Sequence, residues 1–208
     1  MAKITLTHLP KENHNTFKNE KIIDSESTKT TVEEFLLGKA ADDDYNLYGI
    51  VDSARNEEVF RYLITGNVIY KSLFEGTMDV QSFGVSGFLV ECKKESSLFQ
   101  WMTTEVWGNS CCIFFTSKSS FDELFIHFQQ FNRVYLEDDE VVLFRYYDPR
   151  VLRVYLPSCN HNEIDAFFGD VNNFFAESEN PEKINMFTNG GETEALFTSA
   201  YKIINNKI

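Results

Sequence analysis

The stretch FRYYDPRVLRVYLP (Phe144–Pro157), which we call the organising stretch, predicts a strand that runs directly into a short helix. Its strand half, with the preceding Val141–Leu143, is rich in β-branched, aliphatic and aromatic residues, which favour a half-buried sheet. Asp148 is placed to cap the helix, because its carboxylate can accept hydrogen bonds from first-turn N–H groups, and Pro149 suits the first helical position. Apolar residues then recur at spacings of three and four until Pro157, where we expect the helix to end.

Three arginines, Arg145, Arg150 and Arg153, lie in this stretch beside one acid, Asp148. An unpaired guanidinium group in a core-forming segment is costly, so these side chains need partners. In one interpretation they pair with acids at strand ends and fix the helix against the sheet. In the other, Arg150 and Arg153 share a helix face and clamp an anion or carboxylate. We favour the first. The strand-end acids considered are Asp52, Glu75 and Glu91.

Predicted strands alternate with predicted helices before this stretch. A predicted hairpin, whose second strand runs into the stretch, is the last part of the sheet in this series. The acidic turn 137–140 joins the hairpin strands Val134–Leu136 and Val141–Tyr147. The predicted strands before it are Leu47–Val51, Gly87–Cys92 and the wholly apolar Cys111–Thr116. The predicted helices follow Asp52, span Ser96–Trp107, and begin at Ser119 or Ser120. After the organising stretch we expect a helix His161–Phe168 ended by Gly169, a strand Val171–Ala176 and a final amphipathic helix Glu192–Ile204.

This order predicts an α/β (α+β) fold with a mixed sheet of about five to six strands flanked by helices and a small C-terminal helical extension. Residues 1–44 form a polar N-terminal segment with one short helix at Thr31–Lys39, and residues 40–44 read as a linker. Residues 45–176 form the α/β domain. Residues 177–208 form the C-terminal extension with its helix.

Composition narrows the classes of function. The formal net charge is −13, which disfavours nucleic acid and anionic membranes as partners. The chain lacks an apolar signal-peptide region and any run of membrane-spanning length, so we expect a cytoplasmic protein. Its 20 phenylalanines allow a substantial core. The four cysteines show no CxxC spacing and are expected to be reduced structural thiols.

Motifs for catalysis, metals and phosphate are missing from the sequence. None of the four histidines stands in a Cys-His or Ser-His arrangement, and no GxSxG elbow, HExxH or calcium loop is present. We therefore expect a protein that is not an enzyme, with no cofactor, no metal and no small-molecule substrate.

Six motifs in order resemble the adaptor (chaperone) domain of bacterial type VI secretion, known as Tap or Tec and long described only as a domain of unknown function. The resemblance covers roughly residues 45–176. The motifs are YGIVDSAR (Tyr48–Arg55), YKSLFEGT (Tyr70–Thr77), FLVE (Phe88–Glu91), WGNS (Trp107–Ser110), FRYYDPRVLR (Phe144–Arg153) and FFG (Phe167–Gly169). It implies a non-catalytic protein that binds the N-terminal region of an effector in the cytosol and helps to load it onto the C-terminal tail of the spike protein VgrG.

Within these motifs we expect the charged set to be structural. Its members are Asp52, Arg55, Arg145, Asp148, Pro149, Arg150 and Arg153. A chaperone also needs an exposed apolar surface for its cargo. Candidate partner-binding residues are Phe121, Phe125 and Phe128, or Leu196, Phe197 and Tyr201. Two alternatives stay open: an immunity protein that neutralises a toxin, and a small enzyme that uses the arginines on an anionic substrate.

Overall fold

The computed structural model describes residues 20–23, 30–42, 44–74, 86–135, 141–180, 182–191 and 196–203. The strands are β1 (Glu20–Ile23), β2 (Asn46–Asp52), β3 (Tyr70–Ser72), β4 (Gly87–Glu91), β5 (Cys112–Ser117), β6 (Arg133–Tyr135), β7 (Val141–Leu143), β8 (Val171–Glu177), β9 (Lys183–Asn189) and β10 (Leu196–Lys202). The helices are α1 (Val32–Asp42), α2 (Glu58–Thr65), α3 (Ser97–Thr104), α4 (Phe121–Gln129), α5 (Pro149–Ser158) and α6 (His161–Phe168).

Among the described residues, the main sheet has eight strands in the order β1-β10-β9-β8-β5-β2-β4-β3, and β6 and β7 form a separate hairpin. Neighbouring strands are antiparallel except β1 and β10, which are parallel. The predicted α+β class with a mixed sheet is therefore confirmed. The sheet differs from the expected one because β1, β3, β9 and β10 belong to it, whereas the hairpin that was expected to close the set is separate from it.

The helix expected at Glu192–Ile204 is wrong. Residues Leu196–Lys202 are strand β10, which pairs with β9 along its whole length, from Leu196 opposite Asn189 to Lys202 opposite Lys183. A short apolar run fits both the helical and the strand period, so the sequence pattern alone does not separate them. The exposed edge of β9 decides the outcome, because it supplies a complete ladder of hydrogen-bond partners.

Helix α1 belongs to the packed structure rather than to a polar segment. Val32, Leu36 and Ala40 are buried on one face of it. The helix predicted at Thr31–Lys39 is confirmed, but it continues to Asp42, so residues 40–42 of the expected linker are helical. Alanine is the strongest helix former, and burial of Ala40 adds to its preference for this conformation.

The organising stretch is shorter as a strand and longer as a helix than predicted. Strand β7 ends at Leu143, and the chain turns before Asp148. Asp148 caps α5 through a hydrogen bond from the Arg150 backbone N–H at 2.9 Å, and Pro149 begins the helix, as predicted. Pro157 does not end α5 but lies in its last turn, where the missing N–H disturbs little of the remaining helix.

Two apolar cores lie on opposite faces of the sheet. Helices α1, α2 and α3 cover one face and surround Phe88, Trp107 and Phe114. Helices α4, α5 and α6 cover the other face and surround Phe115 and Phe174. Strands β2, β4, β5 and β8 between them are buried on both sides, which explains wholly apolar runs such as β5. In the described part of the chain, no helix has both the length and the apolar character needed to cross a membrane.

Candidate functional site

An ion pair between Asp52 and Arg145 joins the end of β2 to the turn before α5. The Nε atom of Arg145 donates to Oδ2 of Asp52 at 3.1 Å, and Nη2 donates to the same oxygen. The Asp52 side chain is fully buried, whereas that of Arg145 is 33% exposed. The other carboxylate oxygen accepts from the Ala54 N–H at 2.9 Å. Burial raises the pKa of the Asp52 carboxyl, and the hydrogen bonds and charge of Arg145 oppose that rise.

A second pair lies at the start of α5. The Asp148 carboxylate accepts from Nε of Arg150 at 3.0 Å and from Nη2 at 2.6 Å, in addition to its capping bond. Burial opposes ionisation of Asp148, but the hydrogen bonds and charge of Arg150 outweigh it, so the pKa of this carboxyl is lowered. Here too the acid is turned inward and the guanidinium group outward: the side chain of Arg150 is 53% exposed and that of Asp148 is 5% exposed.

The loop Trp107–Ser110 is held by Glu177 at the end of β8. The buried carboxylate of Glu177 accepts from the backbone N–H groups of Gly108 at 2.5 Å and Ser110 at 2.8 Å, and from the Ser110 hydroxyl at 3.0 Å. Gly108 and Ser110 both have positive φ angles, 84° and 56°, which turn their N–H groups toward one point. Such a backbone concavity binds anions, and here the protein's own carboxylate fills it.

Two further arginines, Arg153 and Arg55, bond to Glu177 and to the loop that Glu177 holds. The Nη1 atom of Arg153 donates to the backbone carbonyl of Glu177 at 2.7 Å. The Nη2 atom of Arg55 donates to the backbone carbonyl of Asn109 at 3.3 Å. Hydrogen bonds therefore connect Arg55 through the Asn109–Ser110 loop and Glu177 to Arg153. We call the four side chains Arg55, Arg145, Arg150 and Arg153 the arginine face.

Sequence reasoning anticipated part of this arrangement. Arg145 does pair with Asp52, one of the three acids considered. Oε2 of Glu91 instead lies 2.9 Å from Nζ of Lys93, and Glu75 falls outside the described residues. The partner of Arg153 is a backbone carbonyl, which no sequence pattern could name. The role of Glu177 was missed, although a glutamate that directly follows the apolar strand residues Phe174–Ala176 is the same signal that pointed to Asp52.

Tyr147 and Gly87 connect the organising stretch to strand β4. Tyr147 is buried, and a Cβ atom added at Gly87 would lie 2.7 Å from Cε1 of its ring. Only glycine leaves room for the ring at this position. Burial raises the pKa of the Tyr147 hydroxyl. The residues of the FRYYDPRVLR motif thus contact both β2, through Asp52, and β4, through Gly87.

The aromatic residues predicted on α4 divide into core and surface. Phe128 is fully buried between Phe115 and Tyr146, so its prediction as a partner-binding residue is wrong. It points inward because the helical period places it on the same face as Leu124. Phe121 and Phe125 are half-buried. Nζ of Lys71 lies 4.8 Å from the Phe125 ring centroid and 2.7 Å from the Asp122 carboxylate, so a cation covers part of this surface.

The second predicted surface lies on β10 instead of a helix. Tyr201 is half-buried against Phe35, with ring centroids 4.9 Å apart, and Nζ of Lys39 lies 5.2 Å from its ring centroid. The side chains of Leu196 and Phe197 lie outside the described part of the structure, so their predicted role is untested. In the described part of the chain, several large apolar side chains are exposed at positions that were not predicted to bind a partner. They are Ile64, Ile69, Tyr70, Ile126, Leu143 and Val154.

The described thiols are poorly placed for nucleophilic chemistry, and the His127 imidazole bonds to the backbone. Cys92, Cys111 and Cys112 are buried, and burial raises the pKa of each thiol, that of Cys111 to about 12. Burial likewise raises the pKa of the Cys159 thiol, to about 11. Nε2 of His127 lies 2.9 Å from the Phe167 carbonyl. Among the described residues, no group of three or more His, Cys, Asp or Glu side chains is placed to hold a metal ion.

The motifs that build this end of the molecule fall inside a match to a known family. The model of a family described as a domain of unknown function (DUF4123) matches residues 47–166, more than half of the chain. No curated protein and no solved structure matches the chain. The matched region begins in β2, just before Asp52, and ends in α6, so it includes all four residues of the arginine face. The chain therefore belongs to the family described as a domain of unknown function, DUF4123.

Proposed function

We propose that this protein is a non-enzymatic adaptor of bacterial type VI secretion. It binds the N-terminal region of an effector in the cytoplasm and helps to load it onto the C-terminal tail of VgrG. The observation that carries the proposal is the ordered set of six motifs, most of which lie within the region matched by the family model. The resemblance of that set to the secretion adaptors supplies the function.

The contacts of the arginine face support a scaffold role over an anion-processing site. Arg145 and Arg150 each use two nitrogen atoms on an inward-facing carboxylate, and Arg153 is bonded to a backbone carbonyl. An enzyme that acts on a small anion needs guanidinium groups free to converge on the substrate in a concave pocket. The raised thiol pKa values also disfavour a cysteine nucleophile, because the thiolate is the reactive form.

The test is co-expression of the tagged protein with VgrG and candidate effectors from its own host, followed by affinity purification and size-exclusion chromatography. We expect near-stoichiometric recovery with one of the two, and a shorter fragment of the effector that retains its N-terminal region should still bind. A variant effector without that region is the matched control and should not co-purify with the tagged protein. Recovery of the protein alone would overturn the proposal. Binding to the toxin domain with inhibition of its activity would favour the immunity function instead.

A further inference from the structure

The arginine face concentrates cations on a strongly acidic protein. Four of the six arginines in the chain lie on it, although the formal net charge of the protein is −13. Arg145, Arg150 and Arg153 come from the organising stretch. Arg55 comes from a distant part of the sequence and is brought near them because β2 and the turn before α5 share the Asp52–Arg145 pair. A locally cationic surface attracts an anionic partner, whereas the rest of the surface of an acidic protein repels it.

The acids that neutralise this face are hidden from solvent. Asp52, Asp148 and Glu177 are each at most 4% exposed, while Arg55 and Arg150 are exposed and Arg145 is one-third exposed. A ligand that approaches from solvent therefore meets guanidinium N–H donors, and the carboxylates lie beneath them.

The buried acids also fix the orientation of the guanidinium groups. Arg145 and Arg150 each donate through Nε and Nη2 to an inward carboxylate, and no other described residue accepts from their Nη1 atoms. An arginine whose rotamer is already fixed loses less conformational entropy when it binds a ligand. The planar fork matches carboxylate geometry, and carboxylates are the anions that a protein partner presents.

We propose that the arginine face is a docking surface for an acidic segment of a protein partner, with Arg55 and Arg150 as its principal contacts. This inference rests on the proposed adaptor function and names the surface and the chemistry of the cargo. Asp and Glu side chains of the segment accept from the outward N–H groups, while Asp52 and Asp148 keep their present bonds.

The probe for this surface is a blocked hexaglutamate peptide, with blocked hexaglutamine as its neutral control. The full-length ¹⁵N-labelled protein is titrated with each peptide at physiological ionic strength, ~0.15 M. We expect hexaglutamate to shift the Nε–H signals of Arg150 and Arg55 and the backbone amides of the Asn109–Ser110 loop, with hexaglutamine inactive. No shifts, or shifts only in other regions, would overturn the inference.

Substitutions identify the contacts. The double variant Arg55→Gln/Arg150→Gln should bind hexaglutamate about tenfold more weakly, since each charge-assisted contact contributes a few-fold. Arg61→Gln is the matched control, because Arg61 is an exposed arginine paired with Glu58 on α2 and lies outside the face. Arg150→Lys keeps the charge but loses the fork and should lie between the wild type and Arg150→Gln. Equal binding by the wild type and all of these variants would overturn the inference.

The same variants separate this inference from the adaptor proposal. If the wild type and the double variant capture the effector equally well, the adaptor function stands and the docking surface is wrong. If hexaglutamate binds at the arginine face but neither effector nor VgrG is captured, the surface stands and the adaptor proposal fails. We expect the double variant to bind hexaglutamate weakly and also to capture the effector weakly. Arg61→Gln should retain both activities.

Discussion

Arg145 and Asp52 lie 93 residues apart in the sequence, yet their side chains form an ion pair at the end of the central strand β2. The carboxylate is fully buried, and its other oxygen is bound by the Ala54 N–H. The pair therefore ties the turn before α5 to the middle of the main sheet.

Removal of the Arg145 side chain should destabilise the fold, because it leaves the buried Asp52 carboxylate without its partner. We expect Arg145→Met to lower the free energy of unfolding by about 3 kcal/mol, in the range for a broken buried pair. Urea denaturation provides the measurement. The double variant Asp52→Leu/Arg145→Met should recover part of the loss, because no uncompensated charge remains. Arg61→Met, which breaks an exposed pair, should change stability by less than about 0.5 kcal/mol; equal losses at Arg61 and Arg145 would contradict the assignment.

Glu177 should govern the order of the Trp107–Ser110 loop. In Glu177→Gln an amide N–H₂ replaces one acceptor oxygen and faces backbone donors, so we expect a loss of about 2 kcal/mol in unfolding free energy. Hydrogen exchange at the Gly108 and Ser110 amides should accelerate by more than exchange in β5. Glu179→Gln is the control, since Glu179 lies two residues after Glu177 and is exposed. Unchanged exchange at Gly108 and Ser110 would show that the carboxylate does not hold the loop.

His127 should make stability depend on pH in the mildly acidic range. Burial lowers the pKa of His127, and the hydrogen bond to Phe167 and the charge of Asp170 only partly oppose this effect. The unfolded chain therefore takes up the proton first as pH falls. The contribution of His127 is complete above its ordinary pKa, about 6.5, and is lost as pH falls through the lower folded-state pKa.

The check compares urea denaturation of wild type and His127→Gln at pH values on both sides of this window. Glutamine retains a donor for the Phe167 carbonyl but cannot titrate, so the variant should lose less stability on acidification. His161→Gln is the control, because His161 is an exposed residue at the start of α6. An identical loss in wild type and His127→Gln would rule out this imidazole as the group that titrates.

The two aromatic residues Phe128 and Phe125 should respond differently to truncation. Phe128→Ala removes a fully buried ring in contact with Phe115 and Tyr146, and we expect a loss of about 4 kcal/mol in unfolding free energy. Phe125 is half-buried under Lys71, so Phe125→Ala should cost about 1 kcal/mol. Thermal unfolding of the two variants measures the difference. Comparable losses would mean that the α4 surface is packed as tightly as the core.

Local patterns in the sequence were sufficient for much of the structure. The alternation of strands and helices predicted the α+β class. Asp148 and Pro149 marked the start of α5, Ser120 capped α4, and Gly169 followed α6 with a positive φ. These features succeed because they depend on hydrogen bonds and backbone angles within a few residues. The sequence also restricted the partner of Arg145 to a short set of acids, since a guanidinium group in a core needs one.

Only the tertiary structure decided the features that depend on distant neighbours. Leu196–Lys202 is a strand because β9 offers its edge, and Phe128 lies in the core because α4 packs against Phe115. Glu177 binds the Gly108 and Ser110 amides because β8 ends beside that loop. The arginine face gathers side chains from residues 55 to 153, and its acids point inward while its arginines point outward. A linear pattern shows which charges are present, but the packed fold determines which of them faces solvent.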